Sequence, residues 1–473
     1  MNAAISVVEV ALARTPCRTR LPFRFGAVTV TAAELLTCRV RVRGADGREA
    51  RGWSGDLLVP RWFRKDTDQT PQQDADELVA SARAAAAAFV THTAVPASAF
   101  AAWLAVFAAR VGTLPFAALD ALVRGFGVAL VERAVIDAVC RLVCTPFAMA
   151  LRADAFGFAP ERVHDELKGW RWQQDLREPS LRVTVRHTIG MLDVLRAREL
   201  PPERRVDDGL PQTLDQDLAA YGLRHFKIKI GAGHDADVRR LLEIATFFAE
   251  HGCRPVFTLD GNEQYADLTQ LASVLDAVAA EPRGRELLRR VAWIEQPLPR
   301  ALTFEPDRHR NLARVSRVAP LMLDEADAVP ASFVRALDLG YRGVSVKNCK
   351  GVFRALVNFG LCRRGDGRFQ SGEDLTNLGV LPLQQDLVTA AVLGLPHVER
   401  NGHHYCRGLD HLPAPVAAAA LAAHPDLYQP LDHGGVAVRI TAGEMQVGSA
   451  VQAIGYGTAL DDFGPGFEVV AAG

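Results

Sequence analysis

Charged residues stand at the ends of successive apolar segments between positions 226 and 350 of this 473-residue chain. Three of them are carboxylates and three are lysines: Asp260, Glu295, Asp324, Lys227, Lys229 and Lys347. From Lys229 to Lys347, successive charged ends lie 31, 35, 29 and 23 residues apart, which leaves room for a helix and a return strand each time. This repeat is typical of a parallel α/β fold, in which the ends of neighbouring strands meet at one edge. We therefore expect these side chains to converge.

Three converging carboxylates predict a cation site. Buried carboxylates repel one another, and some would have to take up a proton unless a cation lay between them. All-oxygen ligands favour a hard ion, so Asp260, Glu295 and Asp324 indicate Mg²⁺, with Mn²⁺ as the alternative ion. The competing interpretation is that each residue only caps the helix after its strand, where Asp is common.

The lysines predict proton transfer. Lys227 and Lys229 lie two residues apart on a strand, so both side chains point the same way, while the apolar residues between and beside them point toward the helices. An ammonium group inside a barrel, beside a second cation and a metal, loses its proton more easily, which suits Lys229 to act as a general base. Lys347 would stand opposite, four strands later. Taken alone, Lys-x-Lys is more typical of a solvated edge strand, and it is Lys347 that favours the barrel interior.

The elements that position these residues predict a (β/α)-barrel. Eight strand-like segments alternate with helical ones such as 236–250. The segments are 182–188, 226–229, 368–371, 396–399 and the runs that begin near 256, 292, 320 and 343. Eight strands in this length match a TIM-like barrel. A doubly wound sheet is the alternative, but Gly231-Ala232-Gly233 lacks the third glycine of a dinucleotide-binding loop.

The first part of the chain predicts an α+β capping domain. Residues 5–12 and 36–43 alternate as strands do, 44–47 is a turn, and the pattern from 74 to 151 is helical. We expect loops at 15–26 and 52–60. The predicted domains are 1–165 with a helical insertion near 74–130, the barrel at 166–413, and a C-terminal tail at 414–473 that packs on the capping domain.

Composition excludes several classes of function. The net charge of −1 provides no basic surface for nucleic acid. The eight scattered cysteines contain no CxxC pair, and the first residues do not resemble a signal peptide, so we expect free thiols and a cytoplasmic location. Residues 84–109 carry no Asp, Glu, Lys or Arg, but their many alanines and Pro96 favour two packed helices over a membrane span.

Five motifs in sequence order resemble the enolase superfamily, and within it the muconate lactonising enzyme subgroup. They are Lys227-Ile228-Lys229, Asp260-Gly261-Asn262, Trp293-Ile294-Glu295-Gln296-Pro297, Leu323-Asp324-Glu325 and Val346-Lys347-Asn348. The resemblance is close over 190–400 and loose over the first 150 residues. Each motif is weak alone, but their shared order makes the resemblance specific.

The resemblance implies a lyase or isomerase that removes the proton α to a substrate carboxylate and gives a metal-stabilised enediolate. It implies Asp260, Glu295 and Asp324 as ligands of Mg²⁺ and Lys229 and Lys347 as the acid/base pair. Substrate contacts would come from Lys227, Asn262 and Glu373, with Asn262 and Glu325 beside the metal ligands. Racemisation or epimerisation, cycloisomerisation and syn-dehydration all remain open, because they diverge only after the shared first step.

Some residues depart from the family pattern. The eighth strand reads Val398-Glu399-Arg400-Asn401 without the Asp-x-Asp of dipeptide epimerases. No histidine stands after the seventh strand at the place where sugar-acid dehydratases and mandelate racemase have a catalytic one, so both branches are disfavoured. We expect His403 and His404 to be surface residues. The partners expected are a small carboxylate substrate and a second copy of the chain, with neither nucleic acid nor membrane. Two other functions remain: a Schiff-base aldolase that uses Lys347, and a non-catalytic metal-binding barrel.

Overall fold

The computed structural model describes residues 3–25, 28–65, 68–112, 114, 118 and 120–473. Its strands are β1 (Ile5–Phe25), β2 (Val28–Gly44), β3 (Glu49–Leu57), β4 (Arg182–Ile189), β5 (His225–Lys229), β6 (Val256–Asp260), β7 (Val291–Glu295), β8 (Leu321–Leu323), β9 (Gly343–Val346), β10 (Phe369–Gly372), β11 (Val398–Arg400), β12 (Tyr428–Pro430), β13 (Val436–Val438), β14 (Glu444–Gln446) and β15 (Glu468–Ala472).

The helices alternate with the barrel strands and also form most of 71–152. They are α1 (Pro71–His92), α2 (Ala99–Arg110), α3 (Ala121–Leu142), α4 (Phe147–Arg152), α5 (Trp172–Asp175), α6 (Leu214–Tyr221), α7 (His234–Glu250), α8 (Leu268–Ala280), α9 (Pro282–Leu288), α10 (Leu312–Ser316), α11 (Ser332–Asp338), α12 (Val352–Arg363), α13 (Leu381–Leu393), α14 (Gly402–Tyr405), α15 (Ala414–Ala423) and α16 (Gly448–Gln452). The described 3₁₀ turns are Pro160–Arg162, Asp165–Leu167, Ala197–Glu199, Pro202–Arg204, Pro306–His309 and Asn348–Lys350.

The predicted barrel is confirmed. Strands β4 to β11 pair in parallel in chain order, and β11 closes the ring on β4 through Val398 and Val185. All eight predicted strand positions are strands, and α7 covers the predicted helix at 236–250. The predicted and observed strands agree because a parallel strand that is buried on both faces is a short, nearly continuous apolar segment, which can be recognised in the sequence.

The N-terminal domain carries a four-stranded sheet in the order β15-β1-β2-β3. The predicted loop at 15–26 was wrong, because β1 continues as a strand to Phe25; Gly26 lies outside the described residues. Beyond Leu12, β1 pairs only with β2 and has left β15, so it runs as an edge strand. Edge positions tolerate the prolines and arginines that favoured a loop.

The predicted loop at 52–60 was also wrong over most of its length, because β3 extends from Glu49 to Leu57 and pairs with β2 throughout. Gly52, which favoured a loop, instead permits close packing. A Cβ there would lie 2.2 Å from the backbone oxygen of Ala134 in α3. The helix therefore approaches the sheet as closely as a residue without a side chain permits.

Helix α3 joins the sheet to the barrel. Nearly all of its side chains are buried, and an apolar helix without a polar face must be covered on every side. Its Arg133 forms a fully buried ion pair with Asp56 of β3, and its Glu132 accepts a hydrogen bond from the backbone N–H of Phe353 in α12. The N-terminal domain is thus fixed against the barrel side that carries β9.

The alanine-rich segment 84–109 forms parts of α1 and α2, which are separated by a break at residues 93–98. Of the helices in the described ranges, none is long and apolar enough to cross a membrane. Two packed helices were therefore the correct prediction for this segment.

The C-terminal tail contacts both parts of the molecule. Strand β15 pairs antiparallel with β1 in the N-terminal sheet, while β14 pairs antiparallel with β4 at the barrel. The domain boundaries at 165 and 413 stay a prediction.

Candidate active site

Strand register brings three of the predicted site residues side by side. Lys229 at the end of β5 is paired with Asp260 at the end of β6, which is paired in turn with Glu295 at the end of β7. Lys229 Nζ donates to Asp260 Oδ2 at 2.6 Å. Phe226 and Ile228 of β5 are fully buried in the apolar core, so the two lysines of this strand point into the barrel.

Lys227 lies at the centre of a ring of carboxylates. Its Nζ is 3.0 Å from Asp260 Oδ2, 2.7 Å from Glu295 Oε2, 2.8 Å from Glu373 Oε2 and 2.9 Å from Glu399 Oε2. All five side chains are at most 1% exposed. One ammonium therefore links the ends of four different strands below the barrel mouth.

The opposite side of the barrel carries a second group of charges. Lys347, directly after β9, forms an ion pair with Asp324 Oδ2, directly after β8. Ser345 donates to Asp324 Oδ1 at 2.6 Å, and Lys350 Nζ is 3.4 Å from the same oxygen. Lys229 and Lys347 thus each contact one of the predicted metal ligands, from strands four apart in an eight-stranded ring.

The pKa values of the carboxyl groups differ because their surroundings differ. Burial, reinforced by the carboxylates of Asp260 and Glu373, raises the pKa of Glu295 well above its ordinary value. Burial also acts to raise the pKa of Asp260, but Lys227 and Lys229 outweigh it and the pKa is lowered. The pKa of Asp324 is lowered in the same way, mainly by Lys347.

The donor atoms of this carboxylate group are of the type that a divalent metal ion takes. Both oxygens of Glu295 are buried without a hydrogen bond within the described chain, although one contacts Lys227, and Asn262 Oδ1 and Glu325 Oε2 are also unsatisfied. Buried oxygens normally have partners, so unsatisfied oxygens grouped around three carboxylates indicate room for a cation. Asp260, Glu295 and Asp324 are the residues that would hold it, and all-oxygen donors suit Mg²⁺.

A small cavity, with about 20 Å³ of space for water-sized molecules, lies above these charges. Lys229, Lys347 and Asn262 line it from the barrel. The N-terminal domain contributes an apolar wall, comprising Phe23, Phe25, Val59 and Trp62, and the remaining lining residues are Asp374, Leu375, Thr376 and Asn401. The Lys347 ammonium lies 4.5 Å from the ring centre of Trp62, a cation–π contact that orients it.

The wall is tied to the barrel by buried charges. Lys65 Nζ lies 2.6 Å from Glu263 Oε2 and donates to the backbone oxygen of Asn262 at 2.7 Å. Arg300 binds the same Glu263 and donates to the backbone oxygens of Trp62 and Phe63 at 2.8 Å. The segment 52–64 therefore lies over the cavity, although its first part is a strand.

Sequence reasoning missed Glu399 and Arg186. Glu399 stands on the eighth strand and accepts from Lys227 and from Thr188, the latter at 2.7 Å. Arg186 on β4 pairs with Glu373, which is fully buried and lies below the cavity; the predicted substrate contact of Glu373 stays a prediction. The rule that polar strand ends converge would have included Glu399, since it ends the segment 396–399 that the sequence predicts as the eighth strand.

The prediction that His403 and His404 are surface residues was wrong. His404 is buried, and His403 is half-buried and lies 3.0 Å from His187 of β4 between ring nitrogens. The short helix α14 turns both rings toward the outer face of the barrel wall, which the local sequence does not reveal.

Comparisons with known proteins agree with this fold. A family described as "Enolase C-terminal domain-like" matches residues 210–462, more than half of the chain. No curated protein sequence matches. Solved structures share the fold at low identity. An enolase from Bradyrhizobium complexed with magnesium and mandelic acid has 17% identity and a TM-score of 0.57, over 94% of this chain and 96% of that one.

Two further structures extend the likeness. The muconate lactonizing enzyme from Pseudomonas fluorescens, complexed with muconolactone, has 14% identity and a TM-score of 0.57, over 94% of each chain. A dipeptide epimerase from Cytophaga hutchinsonii, complexed with Mg and the dipeptide D-Ala-L-Val, has 12% identity and a TM-score of 0.53, over 85% of this chain and 89% of that one. The resemblance inferred from five motifs is confirmed by the family match, and the chain belongs to the enolase superfamily, in the group of mandelate racemase and muconate lactonizing enzyme.

Proposed function

We propose that the protein is a Mg²⁺-dependent lyase or isomerase that removes the proton α to a carboxylate, with Lys229 and Lys347 as the acid/base pair. The observation that carries the proposal is that both lysines line one cavity from opposite strands, each in contact with a carboxylate of the proposed metal set. Two proton-carrying groups on opposite sides of one substrate carbon suit proton removal and return.

The proposed roles of the three lysines depend on how deep each one lies in the barrel. Lys229 and Lys347 reach the cavity and would move the proton, while the buried Lys227 holds the carboxylates together beneath them. When bound by Asp260, Glu295 and Asp324, Mg²⁺ would stabilise negative charge on the substrate carboxylate as the proton leaves. The apolar wall excludes water and would position the remainder of the substrate.

The printed ligands of related structures support a carboxylate substrate. Mandelic acid, muconolactone and a dipeptide occur in the solved structures, and two of these also hold magnesium. Which of the three reaction classes follows proton removal depends on groups of the substrate beyond the carboxylate.

Deuterium exchange tests the proposal directly. The protein is incubated in D₂O with Mg²⁺ and a library of carboxylates, and deuterium at the α-carbon is measured by mass spectrometry. We expect exchange with at least one carboxylate, and a loss of about 10²–10⁴-fold when a lysine that moves the proton is removed. The variants are Lys229→Ala and Lys347→Ala, and the matched control is the exposed Lys168→Ala.

Three outcomes oppose the proposal. Unchanged exchange in both lysine variants would exclude them as the acid/base pair. Borohydride trapping of Lys347 with a carbonyl substrate, with activity that survives a chelator, would instead support the Schiff-base aldolase. Absence of exchange with every carboxylate, together with retained Mg²⁺ binding, would favour the non-catalytic barrel.

A further inference from the structure

A second group of metal-binding side chains lies on the outer face of the barrel wall. It comprises His187 of β4, Asp217 of α6, and His403 and His404 of α14. Side chains on β4 alternate: Arg186 and Thr188 bind Glu373 and Glu399 inside the barrel, so His187 between them points outward. This group, here called the histidine cluster, is therefore separated from the proposed Mg²⁺ ligands by the strand itself.

The histidine cluster is compact. Asp217 Oδ2 lies 3.0 Å from His404 Nδ1 and 3.7 Å from His187 Nε2, and His187 Nδ1 lies 3.0 Å from His403 Nε2. One ligand atom each from His187, Asp217 and His403 can be chosen so that all lie within 4.8 Å of one another. Small rotations of the side chains would bring three such atoms to ordinary bond lengths of about 2.0–2.2 Å around one metal ion.

The cluster also contains unsatisfied buried atoms. Asp217 Oδ1, His404 Nε2 and His403 Nδ1 have no hydrogen-bond partner in the described parts of the chain, while Asp217 Oδ2 and His404 Nδ1 contact each other at 3.0 Å. Asp217 and His404 are at most 2% exposed, and leaving such groups unpaired is costly. A bound cation would satisfy the aspartate oxygens and the ring nitrogens together.

We propose that His187, Asp217 and His403 form a site for a Zn²⁺-class transition-metal ion, with His404 as the fourth ligand. Imidazole nitrogen selects Zn²⁺ and similar ions, whereas Mg²⁺ prefers oxygen, so the two sites of this chain differ in the ion they take.

The site borders a small cavity and has a structural consequence. His403 lines this cavity together with Tyr221, Arg400 and Gly402, and the space within it for water-sized molecules is about 30 Å³. A bound ion would join β4, α6 and the segment after β11, and that segment begins with Asn401, which lines the candidate active-site cavity. The ion would therefore stabilise the side of the cavity formed by the eighth strand.

Zinc binding to the full chain tests the proposal. The metal-free protein is dialysed against Zn²⁺ in excess Mg²⁺, which occupies the carboxylate site, and zinc is measured by elemental analysis. The exposed thiols Cys144 and Cys253 are changed to Ser in every sample, because thiolates also bind zinc. We expect one tightly bound Zn²⁺ per chain.

Ligand variants distinguish this site from adventitious binding. His403→Gln and Asp217→Asn should each weaken zinc binding by about 100-fold, at the upper end of what altered metal surroundings cost. The exposed His92→Ala of α1 should leave it unchanged. Equal zinc binding by all variants, or no bound zinc in the parent protein, would overturn the proposal.

A spectroscopic measurement covers the case in which a variant fails to fold. Co²⁺ replaces Zn²⁺ in the parent protein, and four-coordinate Co²⁺ with nitrogen ligands absorbs visible light much more strongly than octahedral Co²⁺ bound by oxygens. A weak octahedral spectrum alone would refute the site without any variant.

Discussion

Replacing Glu132 with Gln should stabilise the protein, and increasingly so as the pH rises. Glu132 is 1% exposed; Oε1 accepts from Phe353 N–H at 2.7 Å, while Oε2 has no hydrogen-bond partner among the described residues. Burial raises the pKa of this carboxyl from 4.5 to about 8. Gln retains the acceptor oxygen and removes the ionisation.

The direction of this pH dependence follows from the difference in proton binding between the folded and the unfolded chain. Because the pKa of Glu132 is higher in the folded chain than in the unfolded one, unfolding releases a proton between pH 4.5 and 8, and stability falls as the pH rises through that window. Each pH unit within the window costs about 1.4 kcal/mol. Between pH 5 and pH 7, the stability gained by Glu132→Gln should therefore grow by about 2.5 kcal/mol.

Urea denaturation at pH 5 and at pH 7 measures this difference. The exposed Glu161→Gln serves as the control, since its stability relative to the parent should change little between the two pH values. A gain for Glu132→Gln that is the same at both pH values, within about 0.5 kcal/mol, would refute the reasoning and show that Glu132 is ionised in the fold.

Three further predictions concern the barrel charges and the packing. In the absence of metal, Lys227→Met should lower the free energy of unfolding by about 3–5 kcal/mol, because the buried carboxylates lose the cation that they share. Urea denaturation measures this loss, with the exposed Lys168→Met as the control variant. An equal loss in Lys168→Met would contradict the prediction. Mg²⁺ at about 100 times its Kd should stabilise the protein by about 2.7 kcal/mol, and Glu295→Gln should remove most of that gain in calorimetry; an unchanged gain would exclude Glu295 as a ligand. Gly52→Ala should destabilise the protein by about 1–3 kcal/mol or more, because the added Cβ meets the α3 backbone. Gly125→Ala is the control and should be neutral or stabilising, because a Cβ there meets nothing within 4 Å. Equal thermal stability of the two variants would show that α3 does not pack this closely.

Much of the barrel could be predicted because the signals are local. A short apolar segment that ends in a polar residue predicts a buried parallel strand, and the carboxyl ends of such strands meet in one place. These two rules located Asp260, Glu295 and Asp324, and the structure places each one at or directly after the end of its strand.

The errors arose where a long-range partner decides the structure. Residues 15–25 read as a loop because Pro16 and Pro22 oppose strands, but an edge position beside β2 accepts them. His403 and His404 read as surface residues because their neighbours are polar, but α14 packs them against His187.

The sequence by itself determined which residues carry chemistry and on which strands they stand, since both follow from residue type and spacing along the chain. Only the tertiary structure decided their partners. Lys227 contacts four carboxylates, and Trp62 covers Lys347, although these residues lie far apart in the sequence. A charge's energy depends on its distance from other charges and on its burial, and both are set when the barrel closes and the N-terminal domain packs over it.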